Sequence, residues 1–423
     1  MFKKTELDNG TRLILAPRQE TEAVTFLVLF GVGSRYEQKK INGVSHFLEH
    51  LVFKGTKKRP NTLDIVKELD GVGAEYNAFT GKDHTGYYVK VDARHIDLAI
   101  DIISDIIHNS LFDPKEIERE RQVIVEEINM YEDNPMMYME DLFEQVLYGA
   151  NSLGRTIAGP RETVLNIKRA DIVKHHEKFY RPDNTVIAVA GKLSERSLQK
   201  KINRAFSKKA VKGKLSQYTE YKKFPKNSRV SVMKKKTEQI QLAIGFPGFS
   251  YGSQWLYPSM VLATILGGNM SSRLFIRIRE RMGLCYFIKA DLSPYQDTGS
   301  FYIRAGLAKD KIDEAIQAIW QELTRVKDKK VTSVELSRAK EYLSGKLLLS
   351  LEDSDAVAQW LGRQMILTGK IETTEEKLRR IRKVTREEVY TTARKIFKQS
   401  AMALAIIGPE GSPSHYHKMI KRL

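Results

Sequence analysis

A single cysteine, Cys285, is all the thiol that this chain of 423 residues contains. That excludes a disulfide scaffold and any zinc or iron–sulfur site built from several cysteines, and it fits a reducing compartment. Long apolar runs are missing as well. The longest, such as Ala23–Gly33, are strand-sized, well short of the roughly 18 residues that a membrane-spanning helix needs. The opening residues, Met1-Phe2-Lys3-Lys4-Thr5-Glu6, hold no apolar core of a signal peptide. The expectation is a soluble cytoplasmic protein with no membrane partner. Acidic residues are scarce in one half only. The formal net charge is +18, yet residues 1–212 hold 33 Lys+Arg against 31 Asp+Glu, which leaves 37 against 21 for the remainder. A nucleic acid is one partner that such a basic half could attract. Its lysines fall in scattered pairs and triplets such as Lys234-Lys235-Lys236, the pattern of a solvated face, so nucleic acid is the lesser reading.

What the chain does have is apolar material: 42% of its residues are hydrophobic, too many for a disordered chain. At about 150 residues per domain, its length suggests two or three domains. The first half reads as strands at Thr11–Arg18 and Ala23–Gly33, and helices at Gly43–Lys54 and Thr62–Leu69. Strands at Glu75–Thr80 and His84–Val91 follow, then helices at Ile96–Ile107, Pro114–Asp133, Met136–Leu147 and Arg169–Tyr180, and a strand at Thr185–Ala190. Ser207–Ser228 is lysine-rich, carries Gly213 and Pro225, and has no clean period, as a linker would. The grammar then repeats, with strands at Arg229–Lys235 and Gln239–Phe246, a helix at Trp255–Leu266, and strands around Cys285–Leu292 and Gly299–Gly306. Helices at Lys311–Lys327, Ser333–Ser350 and Asp355–Thr368 come next. Near the ends of the halves, Ile167-Lys168-Arg169-Ala170-Asp171-Ile172 with its later strand Ile187–Gly191 recurs as Val384-Thr385-Arg386-Glu387-Glu388-Val389 with Leu404–Gly408. The expected fold is α+β, an internal duplication of two domains, each a mainly antiparallel sheet packed with helices. The expected boundaries are 1–212, a linker at 213–228, and 229–423.

Chemistry concentrates in Ser45-His46-Phe47-Leu48-Glu49-His50. On a helix, His46, Glu49 and His50 stand at i, i+3 and i+4 and share a face. Two imidazoles one turn apart can hold one zinc ion, and a carboxylate between them can reach a water on that metal. His-x-x-Glu-His is the inverted form of the zincin motif. A histidine pair at this spacing also arises in ordinary cores and surfaces. A catalytic zinc usually takes a third protein ligand, and the helix Pro114–Asp133 offers Glu116, Glu118, Glu120, Glu126 and Glu127. Glu120 and Glu127 lie two turns apart, on the side of Ile117, Ile124 and Ile128, where an unpaired carboxylate would be costly. Glu127 is the expected third ligand, with Glu120 in support and Glu126 as the alternative.

These residues, with Phe53-Lys54-Gly55-Thr56 after the motif, Asn77-Ala78-Phe79-Thr80, Tyr87-Tyr88, Phe112-Asp113, Glu126-Glu127-Ile128, Gly154-Arg155, Ile157-Ala158-Gly159 and Tyr180-Arg181-Pro182-Asp183-Asn184, resemble the pitrilysin/insulinase family of zinc metallopeptidases over nearly the whole chain. The second half lacks the zinc motif. Its Arg279-Glu280-Arg281-Met282-Gly283-Leu284-Cys285-Tyr286 resembles the family's substrate-binding segment, which implies that Arg279 and Tyr286 bind the peptide near the scissile carbonyl and steady its oxyanion. The resemblance further implies that Asn77, Ala78 and Phe79 hold an extended peptide substrate along an edge strand. The two-domain length resembles the processing-peptidase-like branch, in which two chains close around a chamber. With both motifs in one chain, a homodimer is the simplest assembly, one Zn2+ per chain, Arg279 and Tyr286 meeting the partner's zinc. The rivals are a non-catalytic assembly subunit and a nucleic-acid binder. Cys285 reads as a packed small hydrophobe.

Overall fold

Six strands build the first sheet: β1 (Lys3–Glu6), β2 (Arg12–Pro17), β3 (Ala23–Phe30), β4 (Glu75–Thr80), β5 (Thr85–Asp92) and β6 (Thr185–Gly191). In this computed structural model, which describes residues 2–207, 215, 217–222, 229–409 and 411–423, their order is β1-β2-β6-β3-β5-β4. All neighbours are antiparallel except β2 and β6. The central strand β3 explains the layering. Side chains alternate across a strand, so Phe26, Val28 and Phe30 enter one core with Leu13, Phe47, Leu48, Ile103 and Ile124. Leu27 and Leu29 enter another, with Ile14, Ala188, Leu361 and Met365. A strand buried on both faces reads as an unbroken apolar run rather than an alternation, as Ala23–Phe30 does.

The second sheet repeats the first: β7 (Arg229–Lys234), β8 (Ile240–Pro247), β9 (Cys285–Pro294), β10 (Gly299–Leu307) and β11 (Ala403–Gly408), in the order β7-β11-β8-β10-β9. Matching β2, β3, β4, β5 and β6 to these five in sequence reproduces both the spatial order and the one parallel pair, β7 with β11. The chain is thus a duplicated α+β fold.

The compact units are discontinuous in sequence. One comprises Met1–Ile128, Arg155–Thr219 and Leu349–Ile371; the other comprises Asn129–Gly154, Glu220–Leu348 and Glu372–Leu423. Each unit therefore takes one helix from the opposite half of the chain, where contiguous halves were expected. Helix Ser354–Thr368 lies on the first sheet through Ala358, Leu361 and Met365. Helix Pro135–Tyr148 lies on the second through Leu142, Phe143 and Leu147, against Ala243, Ala405 and Ile407. Both helices occupy the same place in the repeat, between the fourth and fifth of its matched strands. The remaining helices cover the opposite faces, among them Val44–Leu51, Ile96–His108 and Pro114–Asp133 in the first unit. The expected linker at 213–228 lies largely outside the described residues. Helices Glu195–Ala205, Thr374–Lys383 and Pro413–Arg422, and the strand β1, occupy stretches to which the sequence patterns assigned nothing. No helix among the described residues is long and apolar enough to cross a membrane.

Candidate metal centre

The helix Val44–Leu51 buries Phe47, Leu48 and Leu51 in the first core, which turns His46, Glu49 and His50 to one side, as their spacing requires. Its entry turn is Gly43, at φ 102°, where a side chain would be strained and a Cβ would meet the Ala158 carbonyl at 2.3 Å. The helix that faces it, Pro114–Asp133, buries Ile117, Ile124, Val125 and Ile128. Glu120, on that same side, is 3% exposed; Glu127 is half-buried and Glu126 exposed.

The two helices bring His46, His50 and Glu127 together, with one potential ligand atom from each lying within 4.8 Å of the others. The Nε2 atoms of His46 and His50 are each 3.5 Å from Glu127 Oε2, and the rings meet edge to face with centroids 4.7 Å apart. His50 Nδ1 is 3.2 Å from Glu120 Oε2, and Lys54 Nζ pairs with Glu120 Oε1 at 2.8 Å. Two imidazole nitrogens and one carboxylate form the donor set of a three-ligand zinc site. The Glu120 contact is of the kind that fixes the orientation of a ligating imidazole. The residues present fit a zinc ion.

Electrostatics agree. Burial, reinforced by His50, lowers His46 to about 4 and keeps its imidazole neutral. Burial opposes a charged His50, but its bonds to Glu120 and Glu127 outweigh that and carry it up to about 9. Glu120 and Glu127 are lowered in turn: burial works against their charge, and His50, with Lys54 for Glu120 and His46 for Glu127, more than offsets it. The two lowered carboxylates beside the imidazoles make a setting that favours a cation, and binding a metal there would displace protons from its ligands.

Glu49 does not join this cluster. Its Oε2 accepts the Thr80 hydroxyl at 2.5 Å, and burial raises its carboxyl above the usual range. Thr80 ends β4, which pairs with β5 and with no other strand among the described residues. Asn77, Ala78 and Phe79 lie on this edge strand. Arg279 and Tyr286 belong to the second unit. Arg279 lies in the π-helical segment Phe275–Arg281, its guanidinium carbon 5.6 Å from the centroid of the Tyr286 ring. Tyr286, near the start of the edge strand β9, is 72% exposed. Cys285 is buried in the second core, and burial pushes its thiol up to about 11, so it packs as an apolar side chain.

Sequence patterns missed Glu37, Lys54, Thr80 and His175. Glu37 accepts hydrogen bonds from the start of the metal helix, and Ser45 Oγ lies 3.1 Å from His175 Nε2. Thr80 stands within the quoted Asn77-Ala78-Phe79-Thr80 segment, but nothing in its spacing points to Glu49.

Residues 12–161 match the insulinase family (Peptidase family M16), and residues 166–343 match the peptidase M16 inactive domain. The zinc protease YmxG of Bacillus subtilis is 37% identical over 412 residues, covering 97% of this chain and 99% of the relative. The zinc protease SCO5738 of Streptomyces coelicolor is 34% identical over 412 residues, covering 96% of this chain and 89% of the relative. The crystal structure of a protease from Helicobacter pylori superposes with a TM-score of 0.92 at 22% identity, over 97% of this chain and 99% of that one, a likeness of fold. The chain belongs to the insulinase family of peptidases, family M16, and is a hydrolase of that class.

Proposed function

We propose that the protein is a zinc-dependent endopeptidase that cleaves unfolded or short peptides inside a chamber formed by two copies of the chain. The observation that carries this reading is the convergence of His46, His50 and Glu127 with Glu49 on the same helix face, bonded to Thr80 instead of to the ligand cluster. One Zn2+ per chain, held by those three residues, would supply Lewis acidity toward water and the scissile carbonyl. Glu49 takes a proton from the attacking water and passes it to the leaving amine. Its burial suits that exchange, because a carboxyl with a raised pKa gives up and regains a proton nearer to neutrality. Glu120 keeps His50 in the tautomer that presents Nε2.

The edge strand β4 offers its free side to an extended peptide, a mode that rests on main-chain hydrogen bonds and tolerates many side chains. Asn77, Ala78 and Phe79 contact the peptide there. Because Thr80 ends the same strand and binds Glu49, the strand that receives the peptide also holds the base. Arg279 and Tyr286, contributed by the second copy in a homodimer, donate to the oxyanion as it develops.

The test is metal analysis joined to peptide hydrolysis. Chelation should abolish cleavage of an unstructured peptide, and zinc should restore it. Undiminished hydrolysis by metal-free protein would overturn the reading.

A further inference from the structure

The two imidazoles are held in different ways. His50 has Glu120 on its second ring nitrogen, the usual means of fixing a ligating histidine. His46 Nδ1 is buried and has no hydrogen-bond partner. With nothing bonded to that nitrogen, its orientation leans on the backbone that carries it, and that backbone is tied down one residue earlier.

Glu37, 5% exposed, spends both carboxylate oxygens on this task. Oε1 accepts from Ser45 N at 2.8 Å; Oε2 accepts from Gly43 N at 2.7 Å and from Asn42 Nδ2 at 2.8 Å. These donors include N–H groups at the start of the helix that have no partner within it, and a carboxylate there also meets the positive end of the helix dipole. The main chain at Glu37 is held as well, since Arg155 Nη2 donates to the Glu37 main-chain carbonyl at 3.0 Å. On the far side, Ser45 Oγ meets His175 Nε2. Ser45, immediately before His46, is thus bound through both its main chain and its side chain.

We propose that Glu37 is a positioning residue for the metal centre: through the N-terminus of helix Val44–Leu51 it helps to set the orientation of His46, the imidazole whose second ring nitrogen has no hydrogen-bond partner. The inference rests on the zinc reading above. A carboxylate spans Gly43 N and Ser45 N with two acceptor oxygens. An amide has one, and would turn its NH2 toward a donor, freeing the helix start to rotate. Catalytic and metal constellations tolerate errors of only about 0.5 Å or 10–20°.

The experiment uses the full-length protein and reads zinc affinity by chelator competition and the visible spectrum of the cobalt(II)-loaded form. Glu37→Gln should bind zinc about 10- to 100-fold more weakly and show altered cobalt bands. Phe206→Leu, in the first core with its ring against Phe26 and His108, serves as the stability control: it should lower Tm while leaving affinity and spectrum unchanged. Wild-type affinity and spectrum in Glu37→Gln would overturn the proposal, as would an equal loss of affinity in Phe206→Leu. Should Glu37→Gln fail to fold, Glu37→Asp, whose shorter side chain cannot reach both amides, should weaken zinc several-fold, and wild-type affinity there would overturn the proposal. His46→Ala, run in parallel, separates the two claims. Zinc binding indifferent to His46 would remove the metal reading and this proposal together, whereas zinc lost in His46→Ala and retained in Glu37→Gln would remove this proposal alone.

Discussion

Glu49 and Glu127 both stand near His50 but have different partners, and the proposed mechanism gives them different work. Glu127 Oε2 faces both imidazoles at 3.5 Å, while Glu49 turns to Thr80. Glu49→Gln should therefore retain zinc and lose about 10²–10⁴ in kcat, the scale of general acid–base catalysis. Glu127→Gln, His46→Ala and His50→Ala should lose zinc on dialysis, and Glu126→Gln should keep it. Zinc lost equally from Glu49→Gln would refute the division of roles. The buried histidines outside the cluster set a pH limit. Burial, aided by the charge of Arg363, lowers His84 to about 3; burial, then Lys178 and His176, does the same to His175. Each is neutral in the folded protein and takes up a proton on unfolding below its ordinary value of about 6.5. Their contribution to stability is whole above about pH 6.5 and declines as the pH falls toward 3. Urea unfolding from about pH 7 down to about pH 4 should show that decline, and His175→Gln should flatten it. A wild-type profile flat over the interval would contradict the assignment.

Elements decide what the centre can act upon. On the proposed mode of binding, a cleavable segment must be extended to add to the free side of β4. Denatured proteins and short peptides should be cut, and stable folded domains should survive. Comparing one substrate in its folded and reduced, unfolded forms checks this, and rapid cuts inside the folded form would count against it. Elements also mark how far the sequence could be read. His46, Glu49 and His50 lie within two helical turns, and Glu120 and Glu127 share one side of another helix, so helix periodicity alone placed each set on a face. The order of most strands and helices was legible in both halves, since those elements carry their own period; β1 and the helices Glu195–Ala205, Thr374–Lys383 and Pro413–Arg422 were not. Which sheet a helix covers was not legible: the apolar side of Ser354–Thr368 says that it must be buried, not that it meets Leu27 and Leu29 of β3. Pairing is hidden in the same way, since the β2–β6 and β7–β11 contacts join strands far apart in sequence. Glu37 stayed invisible for a related reason. It lies in the loop before the metal helix and acts on main-chain amides, which leave no trace in side-chain spacing.

At the scale of the whole molecule, the duplication separates two sets of groups, with the metal cluster in one unit and Arg279 and Tyr286 in the other. If the working site joins these sets across a homodimer, Glu49→Gln and Tyr286→Phe are each defective alone, the latter by about 10²–10³ for one lost oxyanion donor. Mixed and exchanged, they form heterodimers in which one composite site is whole, so activity should rise above the mean of the parents. Exchange confirmed by mass, without recovery, would place the site within a single chain or leave Tyr286 outside it. The central claim, that zinc held by His46, His50 and Glu127 makes this chain a peptidase, is tested most directly by adding zinc stepwise to metal-free protein while following hydrolysis of an unstructured peptide. Activity should climb in proportion to zinc and stop at one zinc per chain, with no response in His50→Ala. Activity that is full before zinc is added, or a response to zinc that survives in His50→Ala, would contradict it.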